Sequence, residues 1–239
     1  MKKEIIFNGK KLSVLISSDA DESVFHEIFT ERDYQKIEPQ IKNAQTLIVD
    51  IGAHIGLFSL YASALNPNVK ILSCEPEEEN FKNLKENLKQ NHIQNVTPKN
   101  LAVAGKEGTA TLYISEDSHN HSLDKNAKGI QSVPDDNHHL SQKVQTTTLE
   151  KILRDYTTCD LVKMDCEGAE FEIVASTSPE TLKKIKRFFI EYHEYTEGNS
   201  AQTIKQILEK NNFRVQIIPS RHDKRMGMID AATHTSSAP

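Results

Sequence analysis

The stretch at 46–60 constrains this chain more than any other, because it reads as a buried strand, a glycine turn and a helix in immediate succession. Residues 46–49 are β-branched and apolar, the composition of a strand in the middle of a parallel sheet covered on both faces. Asp50 closes the run. Gly52 and Gly56 then allow a sharp backbone turn, while Ile55, Phe58, Ser59 and Ala62 recur at helical spacing on the segment that follows. Strand, glycine loop and helix start together build a ligand site at the carboxyl edge of an open α/β sheet.

The first acid of the loop says which ligand it takes. A dinucleotide fingerprint spaces three glycines so that a pyrophosphate can rest on the helix N-terminus. Here Asp50 stands where the first glycine would be. A carboxylate repels a pyrophosphate and attracts an ammonium or a sulfonium, so the loop suits a cationic amino-acid nucleoside better than NAD. The next strand signal, at 69–74, ends at Glu75, and an acid about 20 residues beyond such a loop is placed to accept both hydroxyls of a ribose. Glu77, Glu78 and Glu79 offer a competing explanation, acids gathered at the positive end of a helix. The spacing from Gly52 and the neighbouring Pro76 favour the ribose.

Further strand signals lie at 96–101, 160–164 and 187–190. Asp165 ends the second of these, followed by Glu167, Gly168 and Glu170 at a helix start; Glu191 and His193 end the third. Four strand ends therefore deliver polar groups to one edge of one sheet, which a core does not need. At the N-terminus, Asn8-Gly9 between two alternating runs predicts a hairpin, and Val24, Phe25, Ile28 and Phe29 predict a helix over 19–31. Phe25, Phe29 and Tyr34 are expected in the core. Thr147 and Glu150 suggest a capping box, and the runs at 213–218 and 227–231 are expected to close the sheet as an antiparallel pair.

Taken in order, the loop around Asp50, then Cys74-Glu75-Pro76 with Asn80-Phe81, Leu101-Ala102-Val103, the run from Asp160 through Lys163, Asp165, Glu167 and Glu170, and Ile190-Glu191-Tyr192-His193 resemble the FkbM-type family of class I methyltransferases. The resemblance implies a Rossmann-like, doubly wound, mostly parallel seven-stranded sheet with an antiparallel C-terminal hairpin strand, and S-adenosyl-L-methionine as cofactor. By position it implies a cofactor site of Asp50, Gly52, Ala53, His54, Gly56, Glu75, Pro76, Asn100, Leu101, Ala102 and Asp165. Asn100, Leu101 and Ala102 would hold the adenine. His54 stands where the family more often carries Asn, and Ser122-Leu123 where the family carries a Ser-Leu pair near the active site.

The chain has 239 residues and a formal charge of -5, which accommodate one α/β domain and give no general pull toward nucleic acid or an acidic membrane. The basic run of Lys183, Lys184, Lys186 and Arg187 reads as a solvated helix end. Cys74, Cys159 and Cys166 are odd in number and show no CxxC spacing, so neither a disulfide framework nor a zinc ribbon is indicated, and a reducing compartment is expected. No signal peptide or membrane span is read, and a cytoplasmic protein is expected. The expected division is an N-terminal hairpin and helix extension at 1–34, the methyltransferase domain at 35–231 and a disordered tail at 232–239. The polar loop at 115–143 carries His119, His121, His138 and His139, but nothing at ligand spacing beside them, and no metal is expected.

Methyl transfer from a sulfonium starts from a reactive donor, so the protein mainly aligns the acceptor and removes its proton. His193 titrates in the right range and is expected to be the base, with Asp165 orienting it or acting itself. Asp165, Glu167, Glu191 and His193 make up the expected catalytic set, and the acceptor is expected to be a hydroxyl of a sugar or other small metabolite. An NAD-dependent oxidoreductase and a non-catalytic nucleoside-binding protein are the competing readings, and an open hairpin edge suggests a homodimer.

Overall fold

The computed structural model describes residues 1–115, 120–124, 141–221 and 223–234. The chain opens with a hairpin of β1 (Lys2–Phe7) and β2 (Lys10–Leu15). Its turn is at Asn8 and Gly9, both with positive φ as a tight turn requires. Helix α1 (Asp19–His26) follows and continues as one π turn at Glu27–Glu31. Ser18 and Asp21 cap α1 reciprocally: the Ser18 hydroxyl accepts from the Asp21 N–H at 3.1 Å, and an Asp21 oxygen accepts from the Ser18 N–H at 3.1 Å. A short α2 (Glu38–Asn43) leads into the sheet.

The sheet is built from strand–helix units. β3 (Leu47–Ile51), α3 (Leu57–Leu65), β4 (Lys70–Cys74), α4 (Glu78–Gln90) and β5 (Val96–Lys99) form one half. A small sheet of β6 (Ala102–Val103), β7 (Gly108–Tyr113) and β8 (Ser141–Thr147) interrupts. The second half is α5 (Leu149–Ile152), β9 (Leu161–Met164), α6 (Glu170–Ser176), α7 (Pro179–Leu182), β10 (Arg187–His193), α8 (Ala201–Lys210), β11 (Phe213–Pro219) and β12 (Met226–Thr233). The seven-stranded sheet has the order β11-β12-β10-β9-β3-β4-β5. β12 runs antiparallel to both of its neighbours, and the pairs from β10 to β5 are parallel. The chain builds outward from β3 in one direction, then returns to β9 and builds in the other. The carboxyl ends of β3 and β9 therefore flank the topological switch point, where open α/β sheets hold their ligands.

Alternation along β3 sorts its side chains between two cores. Ile48 joins the cluster under α3, α4 and the N-terminal segment; Leu47, Val49 and Ile51 join the cluster under α6 and α8. The hairpin and α1 belong to the first of these: Phe7, Leu12, Val14, Ile16, Phe25 and Phe29 are buried with Tyr61 and Leu84. Phe7 stacks on Tyr61 with ring centroids 4.5 Å apart. Asn91 at the end of α4 binds both the N–H and the carbonyl of Ser13, and Asn87 accepts from the Leu15 N–H at 2.7 Å.

Three local expectations shift. The cap of α5 is Thr148, whose hydroxyl accepts from the Lys151 N–H, while Glu150 turns away to accept from the Ser178 N–H at 2.9 Å. The box expected at Thr147 therefore does not form. The third strand stops at Lys99, short of Leu101. β12 extends through Thr233, so the first two residues of the expected tail are sheet; residues 235–239 lie outside the described residues. Among the described residues no helix is long and apolar enough to cross a membrane.

Candidate active site

A cleft of about 830 Å³, counting its open mouth, lies at the switch point and is lined from both halves of the sheet. Its floor is the loop after β3. Gly52 has φ 72°, and a Cβ there would stand 1.7 Å from the carbonyl oxygen of Asp165, so only glycine lets this loop lie against the turn after β9. Gly56, at φ 86°, begins α3 but does not line the cleft.

Asp50 lies beneath that floor. It is fully buried and does not reach the cleft: one oxygen accepts from the Ser59 hydroxyl at 2.7 Å, and the other is 3.5 Å from the Lys163 ammonium. Burial pushes its carboxyl up, with Lys163 and Ser59 opposing. Lys163, itself buried, donates to the Gly52 carbonyl at 2.9 Å and stands 3.7 Å from an Asp165 oxygen. Burial works against its charge, but surrounding acids including Asp50 and Asp165 raise its pKa. The expectation that Asp50 faces a cationic ligand is thus corrected: it holds Lys163, and Lys163 ties the glycine loop to the neighbouring strand.

On the first half of the sheet, Glu75 is 5% exposed and lines the cleft at the end of β4. Its two oxygens accept from the His54 N–H at 2.8 Å and the Glu77 N–H at 2.9 Å. These donors fix the carboxylate and leave lone pairs on each oxygen for further donors. Burial raises it to about 7, against the pull of the Glu77 N–H and His54. Asn100 does not line the cleft; its amide donates to the carbonyls of Glu75 and Pro76 at 3.0 Å each and so holds the acid in place from outside. Leu101 packs into the second core, whereas Ala102, Val103 and Leu112 supply an apolar wall. His54 is left-handed at φ 50° and turns its Nε2 to Asp21, at 3.2 Å. The side chain at this unusual position thus joins the loop to the cap of α1.

On the other half, Asp165 and Glu167 line the cleft in the turn after β9. Glu167 is in the left-handed region at φ 52°, and its carbonyl accepts from the Ser122 hydroxyl; Leu123 lines the cleft. Glu170, with no measurable exposure, holds the turn by accepting from the N–H groups of Cys166 and Gly168, each at 2.9 Å. Its Oε1 is also 3.2 Å from His193 Nδ1, while His193 Nε2 faces Glu167 Oε1 at 3.5 Å. Burial would lower His193, but Glu167 and Glu170 outweigh it and raise it to about 10. Burial likewise pushes Glu167 upward, with His193 opposing.

His193 and Glu191 do not line the cleft. His193 stands behind Glu167 and off the cleft, so it is not placed to act as the base, contrary to the expectation. Tyr34, Lys163, Glu170 and Asn80 are the residues the pattern did not assign to the site. Tyr34 was read as core, and it is both: buried against Phe58 and Phe189 and lining the cleft. Of the loop histidines, His121 lines the cleft and accepts from the Ser115 N–H through Nδ1 at 3.0 Å; His119, His138 and His139 lie outside the described residues.

The cleft fits S-adenosylmethionine at the points that discriminate. A buried acid with spare acceptor capacity suits the ribose, and an apolar wall suits the adenine. Residues 50–215 match the Methyltransferase FkbM domain family. Among curated proteins, the chain is 28% identical over 226 residues to Methyltransferase sdnD of Sordaria araneosa, covering 84% of this chain and 85% of that one. It is 23% identical to the AMB antimetabolite synthetase AmbE of Pseudomonas aeruginosa, covering 82% of this chain but spanning only 11% of that much longer protein. The crystal structure of Methyltransferase FkbM from Methylobacillus flagellatus superposes with a TM-score of 0.53 at 16% identity, over 87% of this chain and 50% of that one. The fold and the matched segment agree, and the chain belongs to the FkbM-type methyltransferases, with S-adenosylmethionine as its methyl donor.

Proposed function

We propose that this protein transfers a methyl group to a hydroxyl oxygen of a small metabolite, a sugar among the candidates, and that Glu167 removes the hydroxyl proton. The observation that carries this reading is the facing of two acid sets across one cleft, Glu75 on the donor side and Asp165 with Glu167 on the acceptor side. The bound cofactor supplies a methyl group already activated on a sulfonium, so the residues of the chain have to align and deprotonate rather than activate.

Glu75 accepts the ribose hydroxyls, and the loop at 52–54 lies close because Gly52 presents no side chain. Asp165 accepts a hydrogen bond from the acceptor and orients its hydroxyl. Glu167 takes the proton: it reaches the cleft, and burial gives it more basicity than a surface carboxylate. His193, 3.5 Å behind Glu167 and held on its other ring nitrogen by Glu170, is a positioning residue that keeps this carboxylate in place. A hydroxyl rather than an amine acceptor is favoured because a neutral hydroxyl is a poor nucleophile until its proton is drawn away, which a carboxylate at hydrogen-bond reach does, whereas a neutral amine attacks through its lone pair unaided.

The outer edge of the N-terminal hairpin, unpaired among the described residues and with Ile6 78% exposed, supports a homodimer; gel filtration that shows only a monomer overturns this part. The central test is calorimetric titration with S-adenosylhomocysteine and, separately, NADH, followed by an acceptor screen that detects the methylated product. Saturable binding of the first alone, weakened roughly tenfold or more in Glu75→Ala, is expected. Glu167→Gln is expected to retain that binding and lose turnover by about two orders of magnitude. Near-normal turnover in Glu167→Gln would sink the assignment of the base.

A further inference from the structure

Behind the acceptor wall of the cleft, three side chains converge from two strand ends. Asp165 and Glu167 come from the turn after β9, His193 from the last position of β10, and one ligating atom of each lies within 4.8 Å of the other two. Two features distinguish this trio from a group of acids that happen to be near each other. The first is the orientation of the imidazole. Glu170 engages Nδ1 at 3.2 Å and is itself fixed by two backbone N–H donors, which leaves Nε2 directed at Glu167. A carboxylate on one ring nitrogen that orients the other is the support that metal-ligating histidines receive. The second is an unmet need. Glu167 is 5% exposed, and its Oε2 is buried with no hydrogen-bond partner among the described residues. A buried carboxylate oxygen left so is costly unless something occupies its lone pairs.

We infer that Asp165, Glu167 and His193 form a site for one divalent cation of the first-row transition class. Two carboxylates and one imidazole mix the donors preferred by Mn²⁺ with the donor preferred by Fe²⁺, Co²⁺ and Zn²⁺, and discriminate against Ca²⁺. Two donors at right angles on one such ion stand about 3 Å apart. The 3.5 Å between His193 and Glu167 is close to that, and the wider spacing to Asp165 closes by rotation of a side chain that is 31% exposed. Lys163 stands 3.7 Å from Asp165 and donates its hydrogen bond to the Gly52 carbonyl. Asp165 and Glu167 also line the cleft, so an ion held by them faces the acceptor side. Two of the ligands share one turn and the third ends the neighbouring strand, which is why no ligand spacing in the sequence displayed the set. Ion binding is read without cofactor or acceptor, so the inference and the methyl-transfer reading fail separately.

The test uses the full chain, stripped of metals and titrated with Mn²⁺ while electron paramagnetic resonance follows the free ion. Saturation at one ion per chain is expected, with nitrogen coupling in the pulsed spectrum of the bound ion as the signature of the imidazole. Glu167→Gln and His193→Gln are each expected to weaken binding on the order of tenfold or more, and Glu170→Gln, through the imidazole, by a similar factor. Glu75→Gln, on the donor side, is expected to leave it unchanged. Free Mn²⁺ undiminished up to millimolar wild-type protein overturns the inference. So does a bound ion without nitrogen coupling, or undiminished binding by a Glu167→Gln variant that melts cooperatively; in either case a His193 proton alone fills the space between Glu167 and Glu170.

Discussion

Single residues set the chemistry of the donor side. Glu75 rises from an ordinary carboxylate pKa to about 7 because it is buried, and two consequences follow. Its charged form is the better acceptor for ribose hydroxyls, so affinity for S-adenosylhomocysteine is expected to fall several-fold from pH 8 to pH 6, which calorimetry at the two pH values checks. For stability the sign is opposite. The folded state binds this proton more tightly than the unfolded state, so the contribution of Glu75 to the cofactor-free protein declines as pH rises from about 4.5 to about 7. The melting temperature of Glu75→Gln relative to wild type should therefore rise between pH 5 and pH 8. Gly52→Ala makes a harsher prediction. The added Cβ meets a backbone carbonyl at 1.7 Å and the backbone is left-handed, so cofactor affinity should drop by about tenfold or more and stability by a few kcal/mol, read from denaturant unfolding. Glycines and strand-end acids were legible in the sequence because turn geometry and strand length expose them. What pattern could not show was depth: Asp50 and Glu75 both end strands, yet one lies under the loop and the other beside the cleft. His193 was misassigned for a related reason, since only the folded chain brings Glu170 to its ring.

Secondary elements carry the coupling between cofactor loop and N-terminal segment. Asp21 caps α1 with one oxygen and meets His54 with the other. Asp21→Ala should therefore cost about 1–2 kcal/mol of stability and also weaken cofactor binding several-fold, whereas Ser18→Ala should cost about 1 kcal/mol and leave binding alone. Urea titration beside calorimetry separates the two; equal binding by both variants would remove the proposed link. The succession of strands along the chain, the antiparallel closing pair and the hairpin were all readable, because alternation, Asn-Gly and apolar runs are local signals. The small sheet of β6, β7 and β8 was only half visible. β7 alternates, but its partner β8 is polar on its exposed face and reads as loop until paired.

At the scale of the molecule, the hairpin at the N-terminus is part of the main core rather than an appendage. Removal of residues 1–17 takes away Phe7, Leu12, Val14 and Ile16 and uncovers the faces of α3 and α4 that they bury. A loss of several kcal/mol is expected, seen as a lower urea midpoint or failure to fold; an unchanged midpoint would show that the hairpin stabilises nothing. The contact of Gly52 with the Asp165 carbonyl has a consequence for redesign. It acts as a fixed spacer between two modules, one that holds the donor and one that presents the acceptor. New acceptors should thus be obtainable by randomising His121 and Leu123 in the cleft wall, with the spacer untouched, and libraries that vary residues 50–53 or 163–166 should return mostly inactive clones whatever acceptor is offered.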